Sequence, residues 1–141
     1  LLREGLFRLP TEAEWEFACR GDQGGGHFFG SDASQLGDYA WYLANADGRT
    51  HPVGTRQPNP YGLYDLYGNV WEWCRDYFAA YPGGHALEPT GPESGKTRAL
   101  RGGGWNTEAD RCQTFVRWHQ PPETRSNQVG FRLLLETGQK D

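Results

Sequence analysis

The sequence predicts an α+β domain in which one short helix and several strands support long loops. A helix signal stands near the start, strand-like segments follow in the second half, and 20 Gly and 9 Pro among 141 residues interrupt both. Gly and Pro together make up roughly a fifth of the chain, against an average of about 12%. Aromatic residues, at 14%, recur between these breaks, so we expect the loops to be anchored to a core.

The helix is predicted from residue 12 to residue 20 by a capping box at its start. The Thr11 hydroxyl can accept a hydrogen bond from the Glu14 amide, while the Glu14 carboxylate reaches back to the Thr11 amide. Gly21 is expected to end the helix. One stripe of the helix should face the core, and it comprises Trp15, Ala18 and Cys19.

Strands are predicted from hydrophobic and β-branched content in the second half of the chain. The predicted strands are residues 67–74, 99–101, 114–118 and 130–135. Before them, residues 21–60 are expected to form a loop with a short ordered segment at 38–43. Residues 83–96 are predicted to be another loop, and the Pro121-Pro122 pair should enforce extended backbone between the last two strands.

Composition fits a single domain, 1–141, and excludes several functional classes. The formal charge is −4 and the pI is near 5.5, which argues against a nucleic-acid partner. No hydrophobic run approaches the roughly 18 residues of a membrane helix, and none has the shape of a signal peptide. The three cysteines form an odd set without metal-finger spacing, so neither a disulfide framework nor a zinc site is indicated.

Three sequence blocks, in a fixed order, resemble the formylglycine-generating enzyme or sulfatase-modifying factor family. They are residues 8–18 (RLPTEAEWEFA), residues 61–73 (YGLYDLYGNVWEW), and residues 100–105 (LRGGGW) together with 130–132 (GFR). The resemblance implies a C-type-lectin-like variant of the α+β class. The family's domain begins before the first block and this sequence contains no Met, so we expect an N-terminally truncated domain. A shared fold does not by itself imply shared chemistry.

The resemblance also implies a structural calcium ion in the second block. The expected ligands are the side chain of Asp65 and the backbone carbonyls of Leu66, Gly68 and Val70. Calcium takes six to eight oxygens and mixes carboxylate with carbonyl ligands, so a tight turn of this kind suits it. The alternative is that Asp65 and Asn69 only form hydrogen bonds to local amides within the turn.

The family's oxidase binds copper(I) through two thiolates five residues apart. The matching positions here are Thr107 and Cys112, and a hydroxyl cannot replace a thiolate on this soft metal. The family's Ser in the Gly-Gly-Ser motif is replaced by Gly104, although Trp71 matches. Copper is therefore not expected, and Cys112 is a catalytic candidate only for an oxidase whose site is completed elsewhere.

The remaining thiols and the histidines suggest no alternative chemistry. Cys19 is expected to be a buried free thiol, because the position that pairs with it in some relatives is Arg117 here. Cys74 is expected to belong to the core instead of binding a metal. Another branch of the fold uses non-haem iron with His ligands from a separate domain. The histidines of this chain are scattered, so ordinary loop positions are favoured over metal ligation for His27, His51, His85 and His119.

A third branch of the fold displays variable residues for ligand binding, and it includes proteins diversified by retroelements. Its variable positions lie between the Gly-Gly-x-Trp block and Gly-Phe-Arg. Aromatic side chains mixed with amides and carboxylates suit such a surface. The candidates are Trp105, Asn106, Glu108, Asp110, Gln113, Phe115, Trp118, His119, Gln120, Glu123 and Asn127. One of Phe115 and Trp118 is expected to belong partly to the core.

Two arginines flank this interval, Arg101 and Arg132. Each arginine is expected to fix one end of the interval by donating hydrogen bonds to backbone carbonyls or to a buried carboxylate such as Glu72. The planar guanidinium suits such contacts. The sequence therefore favours a non-catalytic domain that binds a protein or a small ligand through residues 105–127. The alternative is a formylglycine-type copper oxidase or an iron-dependent relative completed elsewhere, and the copper enzyme would need Cys at position 107.

Overall fold

The computed structural model describes residues 5–81, 83 and 89–137. Within this part of the chain there are two helices, six strands and two short 3-10 turns at Ala33–Gln35 and Ala109–Arg111. The helices are α1 (Glu12–Arg20) and α2 (Leu36–Tyr39). The strands are β1 (Gly5–Arg8), β2 (Trp71–Tyr77), β3 (Arg98–Arg101), β4 (Arg117–Gln120), β5 (Val129–Gly130) and β6 (Leu134–Thr137). No helix among the described residues is long and apolar enough to span a membrane.

The strands form two separate sheets. The first is an antiparallel ribbon of β1 and β6, in which Phe7 lies opposite Leu135. The second has the order β4-β3-β2-β5, with β5 parallel to β2 and the other pairs antiparallel. Leu100 on β3 lies opposite Trp73 of β2 on one side and Trp118 of β4 on the other. Few short helices and small twisted sheets confirm the predicted α+β class.

Helix α1 confirms the predicted capping box and both predicted ends. The Thr11 hydroxyl accepts from the Glu14 amide at 3.1 Å, and the Glu14 carboxylate accepts from the Thr11 amide at 2.7 Å. Arg8 donates to both carboxylate oxygens of Glu14 at 2.7 and 2.8 Å. These bonds from Arg8 lower the pKa of Glu14 to about 2. The start of α1 is therefore fixed to β1 as well as capped.

The core lies between α1, the second sheet and the long loop before β2. Trp15 and Cys19 of α1 are buried in it, whereas Ala18 is only half-buried. The loop contributes Phe28 and α2 contributes Leu36, which confirms that apolar side chains anchor residues 21–60. The full cluster comprises Trp15, Cys19, Phe28, Leu36, Ala40, Leu66, Tyr67, Cys74, Ala99 and Cys112.

The first predicted strand was placed too early. Residues 67–70 do not belong to β2, which begins at Trp71. Gly68 and Asn69 have φ angles of 72° and 62°, and such left-handed backbone turns the chain instead of extending it. The predicted segment at 38–43 is also shifted, because the ordered element there is α2 at Leu36–Tyr39.

The last two predicted strands differ from the structure in register and number. Residues 114–116 precede β4 because Val116 donates to the Gln113 carbonyl in a turn, at 3.2 Å. The segment 130–135 is divided between β5 and β6, which belong to different sheets. Strand β1 was not predicted, and its four residues are too few for a periodic signal.

The Pro121-Pro122 pair forms part of a turn, so the prediction of extended backbone is wrong. The Thr124 amide donates to the Pro121 carbonyl at 3.0 Å, which closes a four-residue turn. Proline is favoured at the second position of such turns because its φ is already close to the required value. In the predicted loop at 83–96, the described residues form neither helix nor strand, and residues 84–88 lie outside the described part of the chain.

Candidate functional site

The Gly-rich segment after β3 brings Thr107 and Cys112 to the same place. Gly102 and Gly103 have φ angles of 97° and 81°, which side-chain-bearing residues rarely adopt. A Cβ atom on Gly103 would lie 2.7 Å from the Cys112 Sγ and 3.3 Å from the Thr107 Cγ2. Residues 107 and 112 therefore flank one glycine, as expected if they occupy the two thiolate positions of the oxidase.

Neither side chain at this position is prepared for thiolate chemistry. The Thr107 hydroxyl accepts a hydrogen bond from the Gly104 amide at 2.8 Å, so it closes the turn. Cys112 is fully buried, and burial raises the pKa of its thiol to about 12. The thiol is thus protonated at neutral pH, and protonated thiols are poor nucleophiles and poor ligands. These two residues do not fit copper(I), which prefers two thiolates.

Cys19 and Cys74 are buried free thiols, as predicted. Burial raises the pKa of Cys19 to about 11 and that of Cys74 well above its ordinary value. Near Cys19, a chain of polar contacts joins its Sγ to the Thr114 hydroxyl at 3.8 Å, and that hydroxyl to the Tyr67 hydroxyl at 2.6 Å. The cysteines therefore belong to the packing of the core.

All three thiols are expected to resist a thiol-specific disulfide reagent in the native protein at pH 8. Each is at most 1% exposed, and burial holds each in the protonated form. Absorbance should report less than one fast-reacting thiol in buffer and all three in about 6 M guanidinium chloride, which unfolds most domains. Rapid labelling of Cys112 in buffer, located by peptide mass spectrometry, would contradict the inert assignment.

The eleven predicted surface residues are all accessible to some degree. Half-buried side chains are Trp105, Asn106, Gln113, His119 and Gln120, and exposed ones are Glu108, Asp110, Phe115, Trp118, Glu123 and Asn127. Phe115 and Trp118 are 55% and 42% exposed, so the expectation that one of them belongs partly to the core is wrong. Both follow Thr114, which is fully buried and takes the inward position instead.

The C-terminal end of this surface is fixed by Arg132. Its guanidinium donates to both oxygens of the buried Glu72 carboxylate at 2.6 and 2.7 Å, and to the Tyr64 carbonyl at 2.9 Å. The indole N–H of Trp15 donates to the same carboxylate at 2.7 Å. The prediction that Glu72 pairs with a flanking arginine is therefore confirmed for Arg132.

The other end is fixed by Arg101, which has different carboxylate partners. Arg101 is fully buried, donates to the Thr114 carbonyl at 2.9 Å and pairs with Glu12 and Glu16 of α1. Arg117 donates to both oxygens of the Glu12 carboxylate at 2.5 and 2.8 Å. The sequence reasoning missed these partners, although acidic residues four apart on a helix and two arginines at strand ends were visible.

The turn expected to hold calcium contains several oxygens without hydrogen-bond partners in the described part of the chain. The Asp65 Oδ2 accepts from the Gly54 amide at 2.7 Å, whereas its Oδ1 is buried with no hydrogen-bond partner in the described part of the chain. The carbonyls of Leu66, Gly68 and Val70 accept no hydrogen bond from any described residue. The Asn69 side chain instead bonds to the backbone of His51 in both directions, at 3.0 and 3.2 Å.

The three histidines in the described part of the chain have different environments. His27 lies in the loop before α2, as expected, but it is only 2% exposed and stacks on Phe29 in the core. His51 stacks on Trp41, and His119 stacks on Phe78 from within β4 instead of from a loop. His85 lies outside the described residues.

Comparison with known proteins tests the resemblance directly. The family model described as the sulfatase-modifying factor enzyme 1-like domain matches residues 3–137. The chain belongs to the sulfatase-modifying-factor family. The matched residues include all six strands and both helices. The three sequence blocks were therefore sufficient to identify the family.

The similar proteins include one named as an enzyme, one named as inactive and one named as a variable protein. The formylglycine-generating enzyme of Streptomyces coelicolor is 36% identical, over 89% of this chain and 45% of that protein. The mouse protein named inactive C-alpha-formylglycine-generating enzyme 2 is also 36% identical, over 93% and 44%. The solved structure of Treponema denticola variable protein 1 is 42% identical, with a TM-score of 0.88 over 94% of this chain and 48% of that one. These likenesses confirm the C-type-lectin-like form of the fold, and the chain spans a little under half the length of each relative.

Proposed function

We propose that this domain is a non-catalytic binding module that displays residues 105–127 to a protein or small-ligand partner. The observation that supports it most is the replacement of the oxidase thiol pair by Thr107 and a buried, protonated Cys112. The likeness to a protein named a variable protein supports the same proposal. If retroelement diversification applies, sibling genes should differ only within residues 105–127.

Two features suit the proposed surface to recognition. Its exposed rings, Phe115 and Trp118, can supply apolar contact area at low conformational cost. Its ends are anchored through Arg101 and Arg132 to buried carboxylates, so side chains between them can change without breaking those contacts. A rigid frame with exchangeable side chains is what ligand display requires.

Randomising the eleven surface positions together is expected to leave the domain folded. None of the eleven is buried. At the six exposed positions, substitutions usually change stability by no more than about 0.5 kcal/mol each. A phage-displayed library with these positions randomised should yield folded clones and binders to an arbitrary target such as lysozyme. The matched control randomises Thr114 together with the eleven, and most of its clones should fail to fold.

Loss of folding in most clones of the first library would show that residues 105–127 serve the structure and not a partner. The oxidase alternative is tested separately with a Cys-x-Pro-x-Arg peptide, oxygen and copper(I). No conversion of its Cys to formylglycine is expected by mass spectrometry. Conversion by the folded protein would overturn the non-catalytic assignment.

We further propose that Asp65 and the carbonyls of Leu66, Gly68 and Val70 bind one structural calcium ion. The unpartnered Asp65 Oδ1 and the three free carbonyls provide hard oxygen ligands on one turn. Buried polar oxygens without partners are costly, and an ion would satisfy them. The ion would hold together the turn that precedes β2 and faces the backbone around Gly54.

Removal of calcium is expected to lower the melting temperature by several degrees, because an ion that binds only the folded state stabilises it. Differential scanning fluorimetry with a calcium-selective chelator and excess magnesium would measure the shift. Asp65→Ala should abolish the calcium dependence, whereas Asp110→Ala, at an exposed position, should retain it. An unchanged melt of the wild type, after complete calcium removal, would refute the site.

A further inference from the structure

A second concave site lies away from the 105–127 surface, between α1 and the end of β2. It is a groove of about 720 Å³, within the range of roughly 300–1,000 Å³ that small-molecule sites occupy. Three parts of the chain form its walls: the outer face of α1, residues 76–81, and residues 89–92. Arg117 completes the lining.

The groove contains a carboxylate that lacks a cationic partner. Asp76 is 5% exposed, and its Oδ2 accepts a hydrogen bond from the Glu12 amide at 2.8 Å. Arg117, also in the lining, directs its Nε and Nη2 at the Glu12 carboxylate and its Nη1 at the Ala79 carbonyl. No salt bridge reaches Asp76 from any described residue, and burial raises the pKa of its carboxyl group.

The walls around this carboxylate are largely apolar. Phe17 and Tyr81 line the groove and are 69% and 64% exposed, and Pro89 and Pro92 line it beside them. The Arg117 guanidinium lies 3.9 Å from the centre of the Tyr81 ring, which helps to hold that ring in place. Three carboxylates (Glu12, Glu16 and Asp76) and two guanidinium groups (Arg20 and Arg117) also line the groove. Arg20 pairs with Glu16 and Arg117 with Glu12, so, among the described residues of the lining, the negative charge without a salt bridge is that of Asp76.

We propose that this groove binds a small organic cation, an ammonium group carried on an aromatic or aliphatic body, with Asp76 as its counter-ion. An ammonium group supplies the positive charge that Asp76 lacks and hydrogen-bond donors in addition to the Glu12 amide. Such charge-assisted bonds are about twice as strong as neutral ones. The apolar body removes the surfaces of Phe17 and Tyr81 from water. A carboxylate ligand would meet the like charge of Asp76, while Arg20 and Arg117 already pair with Glu16 and Glu12, so a cation is preferred.

The test uses two probes of the same shape, phenethylamine and 2-phenylethanol. In NMR titrations of the wild-type protein, the amine is expected to bind at least about tenfold more tightly, since a hydrogen bond to a charged group contributes enough for one decade of affinity. Asp76→Asn keeps an acceptor for the Glu12 amide but removes the charge. In that variant the preference for the amine is expected to disappear.

Asp110→Asn is the matched control, because it removes the same charge at an exposed position outside the groove. It should retain the tenfold preference. Equal affinity for the two probes in the wild type would overturn the proposal, as would a preference that persists in Asp76→Asn. Binding of neither probe would overturn it as well, because the wild-type measurement does not depend on any variant folding.

Discussion

Replacing Arg101 with Ala is expected to lower the free energy of unfolding by about 3 kcal/mol, the lower end of the range for removing one partner of a buried ion pair. Arg101 is fully buried and joins α1, through Glu12 and Glu16, to the Thr114 carbonyl. Without it, the Glu12 carboxylate keeps only Arg117, and the buried Thr114 carbonyl loses its donor. A loss of this size is a large fraction of ordinary domain stability.

Urea denaturation followed by Trp fluorescence measures this effect. Arg111→Ala is the control, because Arg111 is exposed and its removal should change stability by no more than about 0.5 kcal/mol. Arg101→Lys should fall between the two, since a single ammonium cannot reproduce the planar guanidinium contacts. If Arg101→Ala unfolds within about 1 kcal/mol of the wild type, the buried pairing contributes far less than its geometry suggests.

Contacts between residues close in sequence could be predicted in detail. Thr11 and Glu14 are three residues apart, and the spacing alone implied both hydrogen bonds that the structure shows. The family resemblance likewise assigned Thr107 and Cys112 to the two thiolate positions, and the structure places both side chains beside Gly103. In each case a short-range pattern fixes the geometry, since few backbone conformations satisfy it.

For residues far apart in the sequence, the type of interaction could be predicted, but the specific partner could not. Buried arginines were expected to find carboxylates, and both do, yet only Arg132 pairs with the expected Glu72. Arg101 pairs with Glu12 and Glu16, which precede it by 89 and 85 residues. Which carboxylate faces which arginine depends on how α1 lies against β3, and single-sequence patterns contain no information about that packing.

For the 105–127 surface, too, short-range patterns predicted one part of the result and not the other. The residue types in 105–127 indicated a recognition surface, but their exposure depended on where β4 begins. A strand shifted by an odd number of residues exchanges its inward and outward faces. A turn at Gln113–Val116 precedes β4, which begins at Arg117 and not at residue 114 as predicted. Phe115 is therefore exposed, and Thr114 faces the core.

Acid is expected to destabilise this domain through His27, and His27→Phe should remove that contribution. His27 is 2% exposed, stacks on Phe29 with ring centroids 4.6 Å apart, and has no hydrogen-bond partner for either ring nitrogen among the described residues. Burial lowers the pKa of His27 more than the nearby backbone of Cys112 and Gly30 raises it. The folded state therefore holds this ring neutral at a pH where the unfolded chain has begun to protonate it.

The direction of the effect follows from proton linkage. Above the unfolded pKa of about 6.5 the ring is neutral in both states, so His27 adds no pH dependence. Below about 6.5 the unfolded state binds the proton first, and stability falls by at most about 1.4 kcal/mol per pH unit until the lowered folded pKa is reached. This loss adds to that from paired carboxylates such as Glu14, which begins at lower pH.

Urea denaturation of the wild type and of His27→Phe at pH 7.5 and pH 5.5 separates the histidine from the carboxylates, because both proteins share the latter. The variant should lose less stability between the two pH values, and it should be at least as stable at pH 7.5, since it buries no unpartnered nitrogen. Equal losses in the two proteins would mean that His27 finds a hydrogen-bond partner or water when it is charged.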